Sequence, residues 1–239
     1  MNYTIHWTET RPSFQEQWNS SVWQKAETLQ VDHFHPQSSS HRPKAQVKLL
    51  YDDENIYVIF RVEDRYVNAL HKNYQDPVCQ DSCVEFFVMP CGFVNYATPP
   101  YVNSPCENYQ GYFNFEVNCI GTMLLYYIED YRRTPDGFAK YDPVQEILAS
   151  RINIFHSLTD PIEEEITIPV DWVVGYQIPF SIFETYLGPL DIRQGKSWRA
   201  NFYKCADRTS HPHWASWEPI GEELNFHQPA CFGTLEFGM

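Results

Sequence analysis

The chain is built from short apolar stretches separated by turn residues, and this pattern constrains its fold more than any other feature. Residues 46–51 (QVKLLY) lead into the polar residues 52–55 (DDEN), and residues 56–62 (IYVIFRV) follow. Two such runs joined by a short polar turn are typical of a β-hairpin. We expect further strands at 83–89, 111–119, 122–128, 163–169, 173–178, 198–205 and 231–237. Eight or nine strands divided by turn signals predict an all-β fold, an antiparallel, jelly-roll-like β-sandwich.

Helical signals are short and few. A helix-like periodicity occurs near residues 18–29, and a second short piece follows Pro179, where the proline or Ser181 can open a turn of helix. We therefore expect one or two short helices. Residues 32–45 and 90–110 are predicted to be long loops, and loops of this length are usually functional or mobile. No linker, repeat or low-complexity tract interrupts the sequence, so we expect a single domain over residues 1–239 with its core at about 18–237.

The excess of acidic residues limits the kinds of partner that the chain is expected to bind. Asp and Glu total 31 against 17 Lys and Arg, which gives a formal charge of −14, and no run of basic residues occurs. Nucleic acids and anionic membranes are bound through clustered Lys and Arg, so neither is expected as a partner. No apolar run approaches the roughly 20 residues of a spanning helix. The first residues lack the blocks of a signal peptide, so we expect a cytoplasmic chain as written, or an extracytoplasmic one if a leader has been removed.

The chain has seven cysteines, and their spacing matches neither a zinc ribbon nor a thioredoxin-type site. Cysteines 83, 119, 205 and 231 lie in apolar, strand-like stretches, where a thiol behaves as a small hydrophobic group. We expect these four to be reduced and buried. Cys91 and Cys106 bracket the second long loop and can pair in an oxidising compartment.

Several segments occur in an informative order along the chain. They are 53–58 (DENIYV), 62–64 (VED), 80–87 (QDSCVEFF), 112–118 (YFNFEVN), 178–183 (IPFSIF), 198–203 (WRANFY) and 232–235 (FGTL). This order, from about Trp18 to Phe237, resembles the family 9 carbohydrate-binding modules, DOMON-like β-sandwiches that in xylanases grip the reducing-end sugar of a glycan between two aromatic rings. The resemblance implies sugar binding without catalysis, together with a structural calcium ion.

The family's sugar-contacting positions are only partly preserved. Its acidic contact corresponds to Glu85, and the asparagine of its Arg-Val-Asn segment corresponds to Asn118. The arginine of that segment is Glu116 here, and the first sandwiching tryptophan is Cys79. The resemblance therefore implies a rebuilt platform, with Glu85, Asn118 and Glu116 as ligand contacts. Tyr74 or a tyrosine of the 90–110 loop is a candidate for the missing ring.

The second ring of the platform is expected before the terminal Phe-Gly, where Trp214, Trp217, Phe226 and His227 are the candidates. A sugar ring has an apolar face of C–H groups and a rim of hydroxyls, so a binder needs a flat aromatic ring and polar groups around it. Trp214 and Trp217 are three positions apart, and such residues face opposite sides of a strand. We predict a platform around these two tryptophans, with one ring at the ligand and the other in the core if the segment is a strand.

Polar residues on the neighbouring strands complete the predicted site. Arg199 and Asn201 lie on the same face of one strand and are further candidates for the rim of the sugar. A carboxylate within an apolar strand needs a partner. Arg199 can equally be an ion-pair partner of Glu85 or Glu116, and Glu85 can be a calcium ligand. The acidic balance favours a neutral oligosaccharide or polysaccharide over one rich in uronate.

A glycoside hydrolase is the first alternative function. Glu85 and Glu116 on neighbouring strands are candidates for the two catalytic carboxylates. These must be about 5–5.5 Å apart for retention of configuration, or about 6.5–9.5 Å apart for inversion. No further hydrolase signature accompanies them, so we do not expect an enzyme.

A metal- or haem-binding sandwich is the second alternative. Residues 33–35 (HFH) and 211–213 (HPH) place paired imidazoles on one side of an extended chain, although no acid accompanies them at a recognised spacing. A haem would need axial Met or His ligands. Met89 and Met123 are available, but both lie in strands that we expect to be part of the core.

Overall fold

Strands make up most of the regular structure. The computed structural model describes residues 1–15, 18–90, 111–159 and 161–239. Its strands are β1 (Asn2–Trp7), β2 (Leu29–Val31), β3 (His33–Phe34), β4 (Lys44–Tyr51), β5 (Asn55–Asp64), β6 (Val67–Ala69), β7 (Cys83–Met89), β8 (Tyr112–Asn118), β9 (Met123–Thr134), β10 (Gly137–Pro143), β11 (Asn153–His156), β12 (Ile162–Ile166), β13 (Val170–Pro179), β14 (Ser197–Cys205), β15 (Trp214–Ser216) and β16 (Gly233–Phe237). The helices are α1 (Glu146–Ala149) and α2 (Phe180–Leu187), and 3-10 turns occur at Trp23–Lys25, Val78–Gln80 and Pro229–Cys231.

The strands form two main sheets that share β1. The first sheet has the order β10-β9-β8-β7-β14-β16-β1, and the second has the order β1-β4-β5-β13-β11. β1 pairs in parallel with β16 through residues 2–5 and with β4 through residues 6–7, whereas the other pairs within these two paths are antiparallel. A short separate pair joins β6 to β12. The predicted all-β sandwich is confirmed.

The main core lies between the two sheets. Alternate residues of each strand face it, as the two-residue period of a strand requires. The rings of Phe86 and Phe202, from neighbouring strands of the first sheet, are stacked with centroids 5.0 Å apart. Phe60 of the second sheet lies 6.1 Å from Phe202, so aromatic side chains link the two layers.

Irregular chain covers the outer faces of both sheets. Phe14, Trp18 and Trp23 pack over the second sheet against Tyr57 and other outward-facing residues. The predicted helix near residues 18–29 is wrong, because this segment forms only a 3-10 turn and the short strand β2. Its aromatic side chains cover a sheet face from an irregular backbone, so their spacing does not reflect helical geometry.

The segment 217–232 covers the outer face of the first sheet in the same way. Ile220 and Phe232 pack there against Phe87 and Tyr203. Because residues on both faces of β7 and β8 are covered, all residues of these two strands are buried. This covering segment also provides one wall of the cavity described below.

The remaining local predictions are mostly confirmed. The hairpin is formed by β4 and β5, with Tyr51 opposite Ile56, and α2 follows Pro179. Cys83, Cys119 and Cys205 are buried and reduced, whereas Cys231 is only half-buried and lies in a 3-10 turn. Cys91, Cys106 and nearly all of the 90–110 loop lie outside the described residues, so the pairing of these two cysteines stays a prediction.

A buried ion pair holds one end of the sandwich together. The Lys204 ammonium lies 3.3 Å from Asp64 Oδ2, and both side chains are fully buried. Lys204 Nζ also donates to His213 Nε2 at 2.7 Å, and His41 Nε2 lies 2.7 Å from Asp64 Oδ1. These contacts tie β14 and the chain before β15 to the end of β5. They thereby fix the position of Trp214, the residue after His213.

Candidate functional site

A cavity of about 250 Å³ lies on the outer face of the first sheet. Its floor is formed by residues of β7, β8 and β14, and its walls come from β15 and from residues 224–227. Because strand side chains alternate between faces, the floor residues are those that point away from the main core.

Two glutamates occupy the floor. Glu85 of β7 is directly opposite Glu116 of β8, and directly opposed side chains in a sheet have Cβ atoms about 4.5–5.5 Å apart. Both are almost fully buried, with 2% and 5% of their surface exposed. Asn114 Nδ2 donates to Glu116 Oε1 at 2.8 Å, and the Cys205 thiol donates to Glu85 Oε1 at 3.0 Å.

Burial changes the protonation of both acids. Desolvation raises the pKa of Glu116 to about 7. Desolvation and then the nearby Glu116 charge raise the pKa of Glu85 well above its usual range. A carboxylic acid can donate a hydrogen bond and a carboxylate can only accept. The floor therefore offers both a donor and acceptors to a hydroxyl group near neutral pH.

Trp214 forms one wall. Because β15 pairs with β14 and Trp214 is opposite Cys205, its side chain lies on the cavity side of the sheet. The indole Nε1 donates to Asp207 Oδ1 at 2.7 Å. Burial raises the pKa of Asp207, and the hydrogen bond from Trp214 opposes that rise. Ser38 Oγ accepts a hydrogen bond from the Trp214 backbone N–H at 3.0 Å, so both the ring and the backbone are held.

Phe226 provides a second aromatic ring. It lines the cavity and stacks on Tyr203, with centroids 4.1 Å apart and planes inclined by 11°. The Tyr203 hydroxyl donates to the Phe226 carbonyl oxygen at 3.0 Å. The sequence offers four candidates for the second ring, and the structure places Trp214, Phe226 and His227 at this cavity.

Two charged residues at the cavity were not identified from the sequence. Asp207 holds Trp214, and Arg133 at the end of β9 lines the cavity and stacks over Phe138 at 4.1 Å. The positive charge of Arg133 lowers the pKa of Glu116, although burial outweighs it. Glu116 stands where the family that the chain resembles has an arginine, and here a basic group reaches the cavity from a different strand.

Trp217 and Asn201 lie away from the cavity. Trp217 is buried in the main core, 5.7 Å from the Phe202 ring. Asn201 is also buried: its Nδ2 donates to the Glu218 carbonyl oxygen at 3.0 Å, and its Oδ1 accepts from the Glu218 N–H at 2.9 Å. These contacts anchor the chain after β15. The two residues support the site without reaching it.

Asn118 and Arg199 also form hydrogen bonds away from the cavity. Asn118 Nδ2 donates to Asp81 Oδ2 at 2.8 Å and its Oδ1 accepts from the Thr122 N–H, so it stabilises the turn after β8. Arg199 Nε donates to the Gly233 carbonyl oxygen at 3.0 Å. Arg199 is four residues along β14 from Tyr203, the residue opposite Glu85, which corresponds to about 13 Å.

Cys79 stands at the position of the missing first ring, and Tyr74 is one candidate to replace that ring; the other candidates, the tyrosines of the 90–110 loop, lie outside the described residues. Cys79 lines the cavity and is half-buried. Tyr74 packs against the main core, and its hydroxyl donates to the Val144 carbonyl oxygen at 2.7 Å. Of these two, only Cys79 is at the cavity, and it supplies no aromatic surface there.

The paired histidines do not come together as a metal site in the described part of the chain. His213 contacts the Lys204 ammonium, and the His211 ring stacks on Tyr66 with centroids 3.6 Å apart. His35 Nε2 lies 3.0 Å from the Glu222 carbonyl oxygen. The methionines proposed as haem ligands also separate, because Met123 belongs to the main core and Met89 to the outer cluster around Phe87.

One group of metal-ligating side chains is compact. Ligand atoms of Cys83, Glu85 and Cys205 all lie within 4.8 Å of one another. Calcium prefers six to eight oxygen ligands, so two thiols and one carboxyl do not fit the structural calcium that the resemblance implies.

Within the described ranges, no helix has the length and apolar character needed to cross a membrane.

Comparison with known proteins supports the fold. A family model described as carbohydrate-binding family 9 matches residues 19–237. Among curated proteins, no sequence matches the chain. A crystal structure from Bacteroides uniformis, of a protein whose assignment to carbohydrate binding is provisional, is 25% identical with a TM-score of 0.79, and the match covers 99% of this chain and 98% of that one.

Two further structures come from Caldicellulosiruptor kristjanssonii, and both are family 9 modules. The complex with glucose has a TM-score of 0.62 and 14% identity, over 100% of this chain and 97% of that one. The complex with cellotriose has a TM-score of 0.63 and 14% identity, over 100% and 94%. At this identity, the likeness establishes a common fold.

Proposed function

The chain belongs to carbohydrate-binding family 9, and from this premise we propose that it binds a sugar ring, without catalysis, in the cavity beside Trp214. The observation that carries the proposal is the convergence of an indole ring and two buried glutamates on one cavity. An aromatic ring can cover the apolar face of a sugar, while Glu85 and Glu116 on the floor can bond its hydroxyls. Phe226 adds a second ring.

The size of the cavity favours a single ring. Pockets that enclose drug-sized ligands measure about 300–1,000 Å³, and this one measures about 250 Å³. We therefore propose that a monosaccharide or one residue of a longer chain enters. The family 9 modules of known structure were solved with glucose and cellotriose, which makes these two sugars the first probes.

The charges at the cavity favour a neutral sugar. Glu85, Glu116 and Asp207 line it, and Arg133 is the one Lys or Arg side chain among its described lining residues. Where these acids are ionised they repel a uronate, and where they are protonated they still donate and accept hydrogen bonds with hydroxyls. We propose a neutral glycan as the ligand.

The expected affinity is modest. Covering about 80 Å² of apolar sugar surface contributes on the order of 2 kcal/mol. A hydrogen bond to a charged group adds about 1.5–3 kcal/mol before the cost of immobilising the ligand. One stacked ring and a few such bonds correspond to dissociation constants of about micromolar to millimolar.

Calorimetric titration with glucose, cellotriose and glucuronate tests the proposal. We expect the neutral sugars to bind with one site and glucuronate to bind more weakly. Trp214→Ala should weaken binding about 30-fold, because about 2 kcal/mol of stacking is lost. Trp7→Ala is the matched control. Trp7 is an exposed tryptophan that donates a hydrogen bond to Asp53, and neither residue lines the cavity. Unchanged affinity in Trp214→Ala would overturn the assignment of the site.

The hydrolase alternative has its own measurement. The opposed glutamates are the feature that favours it, because paired acids of different protonation are the machinery of glycoside hydrolysis. Incubation with a panel of aryl glycosides should release no reducing sugar. Release that disappears in both Glu85→Gln and Glu116→Gln would instead identify an enzyme.

A further inference from the structure

Two cysteines face each other across neighbouring strands beneath the cavity. Cys83 of β7 is directly opposite Cys205 of β14, and both are buried and reduced. Glu85 lies two residues after Cys83, on the same face of β7. The two sulfur atoms and a Glu85 carboxyl oxygen lie within 4.8 Å of one another. Three strong metal ligands are thus brought together by the pairing of two strands.

The surroundings of Glu85 provide a second, independent observation. Its side chain is 98% buried, and the hydrogen bond that the described residues offer it comes from the Cys205 thiol, a weak donor. In that part of the chain, no Lys, Arg or His forms a salt bridge with it. A buried carboxyl group costs free energy unless it is well paired. This carboxyl lies directly beside two thiols, and among the described residues it forms no ion pair.

The ligand set indicates which cation would fit. Thiolates select soft or borderline metals, and Zn²⁺ is commonly bound by a mixture of Cys, His and carboxylate ligands. In a tetrahedral zinc site with Zn–S bonds of about 2.3 Å, neighbouring ligand atoms lie about 3.3–3.8 Å apart. The ligand atoms of this cluster lie within 4.8 Å of one another, so their separations exceed that spacing by no more than about 1–1.5 Å.

We propose that Cys83, Glu85 and Cys205 form a binding site for a divalent cation of the zinc class at the floor of the sugar cavity. Three protein ligands leave one tetrahedral position open. Glu85 and Cys205 line the cavity, so this open position faces it. On binding, the protons of the two thiols and of the Glu85 carboxyl pass to solvent, and two metal–sulfur bonds and one metal–oxygen bond form. The site shares Glu85 with the proposed sugar site but does not depend on sugar binding.

The test uses the full chain, reduced and freed of metal with EDTA. Titration with Zn²⁺ against a chromogenic chelator should give one site per chain. Co²⁺ should produce the near-ultraviolet charge-transfer absorption of cobalt–thiolate bonds. Because losing a residue that merely orients a ligand already costs about 10–100-fold in metal affinity, Cys83→Ser and Cys205→Ser should each cost at least about 100-fold.

The matched control is Cys119→Ser. Cys119 is also a buried thiol, but its Sγ lies 3.8 Å from the Asn68 carbonyl oxygen, so its loss should leave metal affinity within about twofold. If a serine variant fails to fold, Glu85→Gln is measured in its place. This substitution keeps the side-chain shape and should weaken Zn²⁺ binding. Absence of thiolate absorption with Co²⁺, or Zn²⁺ binding that persists in both serine variants, would overturn the proposal.

Sugar binding is measured separately. Trp214→Ala should lose sugar affinity and keep the metal site, because Trp214 is not among the three ligands. Glucose titration of the EDTA-treated protein reports on sugar binding alone. The failure of either proposal is therefore visible without reference to the other.

Discussion

Trp214 and Trp217 are three residues apart and lie on opposite sides of the first sheet. Trp214 is opposite Cys205 and faces the cavity, whereas Trp217 follows the end of β15 and packs against Phe202 in the main core. Its backbone N–H donates to the Phe202 carbonyl oxygen at 2.9 Å, which keeps it paired with the inward-facing residue. One tryptophan is thus placed to bind a ligand and the other to stabilise the fold.

We expect Trp217→Ala to destabilise the protein by about 3–5 kcal/mol, because it removes a large buried ring and leaves a cavity. The change should appear as a lower urea midpoint in fluorescence or circular dichroism. Sugar affinity of the folded protein should stay close to that of the wild type, in contrast to Trp214→Ala. An unchanged urea midpoint would contradict the placement of Trp217 in the core.

Gly233→Ala should also lower stability, by about 1–3 kcal/mol, because the added methyl group overpacks the core. A Cβ at residue 233 would lie 2.5 Å from the Cη2 atom of Trp217. In a Trp217→Leu background, which leaves more space, the same substitution should cost less. A double-mutant cycle of unfolding free energies measures this coupling, expected at about 0.5–3 kcal/mol. Strict additivity would show that the two residues do not touch.

Lys204→Met should cost about 3–5 kcal/mol, since breaking a buried ion pair leaves an unpaired charge inside the protein. Burial raises the pKa of Asp64, but the Lys204 charge and the His41 hydrogen bond outweigh it and hold that pKa well below its usual range. Lys140→Met is the matched control, because Lys140 pairs with Glu129 at the surface. An exposed pair contributes about 0–1 kcal/mol. Equal losses in the two variants by urea denaturation would contradict this account.

His227 should make the protein sensitive to acid. Burial, and then the charge of Arg133, lowers the pKa of His227 to about 3, whereas an unfolded histidine has a pKa of about 6.5. Between these values the unfolded chain binds the extra proton. The stability that His227 contributes is therefore fully present above about pH 6.5 and is lost as the pH falls towards 3, by up to about 1.4 kcal/mol per pH unit.

The comparison with His227→Phe isolates this contribution, because the other titrating groups are common to both proteins. The substitution also removes a hydrogen-bond partner of the Tyr112 hydroxyl, which lies 2.8 Å from His227 Nδ1. This loss lowers the free energy of unfolding by an amount that does not vary with pH in this range. Urea midpoints at pH 7, 6, 5 and 4 should show wild-type stability falling relative to the variant. A constant difference across that range would mean that folding leaves the pKa of His227 unchanged, and this would contradict its burial among hydrophobic groups.

Local pattern was sufficient for nine of the sixteen strands in the described residues. The prediction of 83–89 matches β7 at both ends, because continuous apolar residues bounded by turns leave little choice of conformation. The edge strand β10 was missed, since its sequence (GFAKYDP) is polar and it forms only by pairing with β9. The apolar residues near 18–29 were interpreted as helical, whereas the second sheet supplies the surface that they cover.

The sequence by itself determined the β-sandwich, the placement of Glu85 and Glu116 on strands, and the opposite directions of Trp214 and Trp217, because the two-residue period of a strand is a local property. Only the tertiary structure decided which polar side chains meet at the cavity. Asn118 is held by Asp81, and Phe226 arrives from a segment folded over the outer face. A polar side chain takes the partner that distant parts of the chain bring to it, and local sequence does not encode that choice.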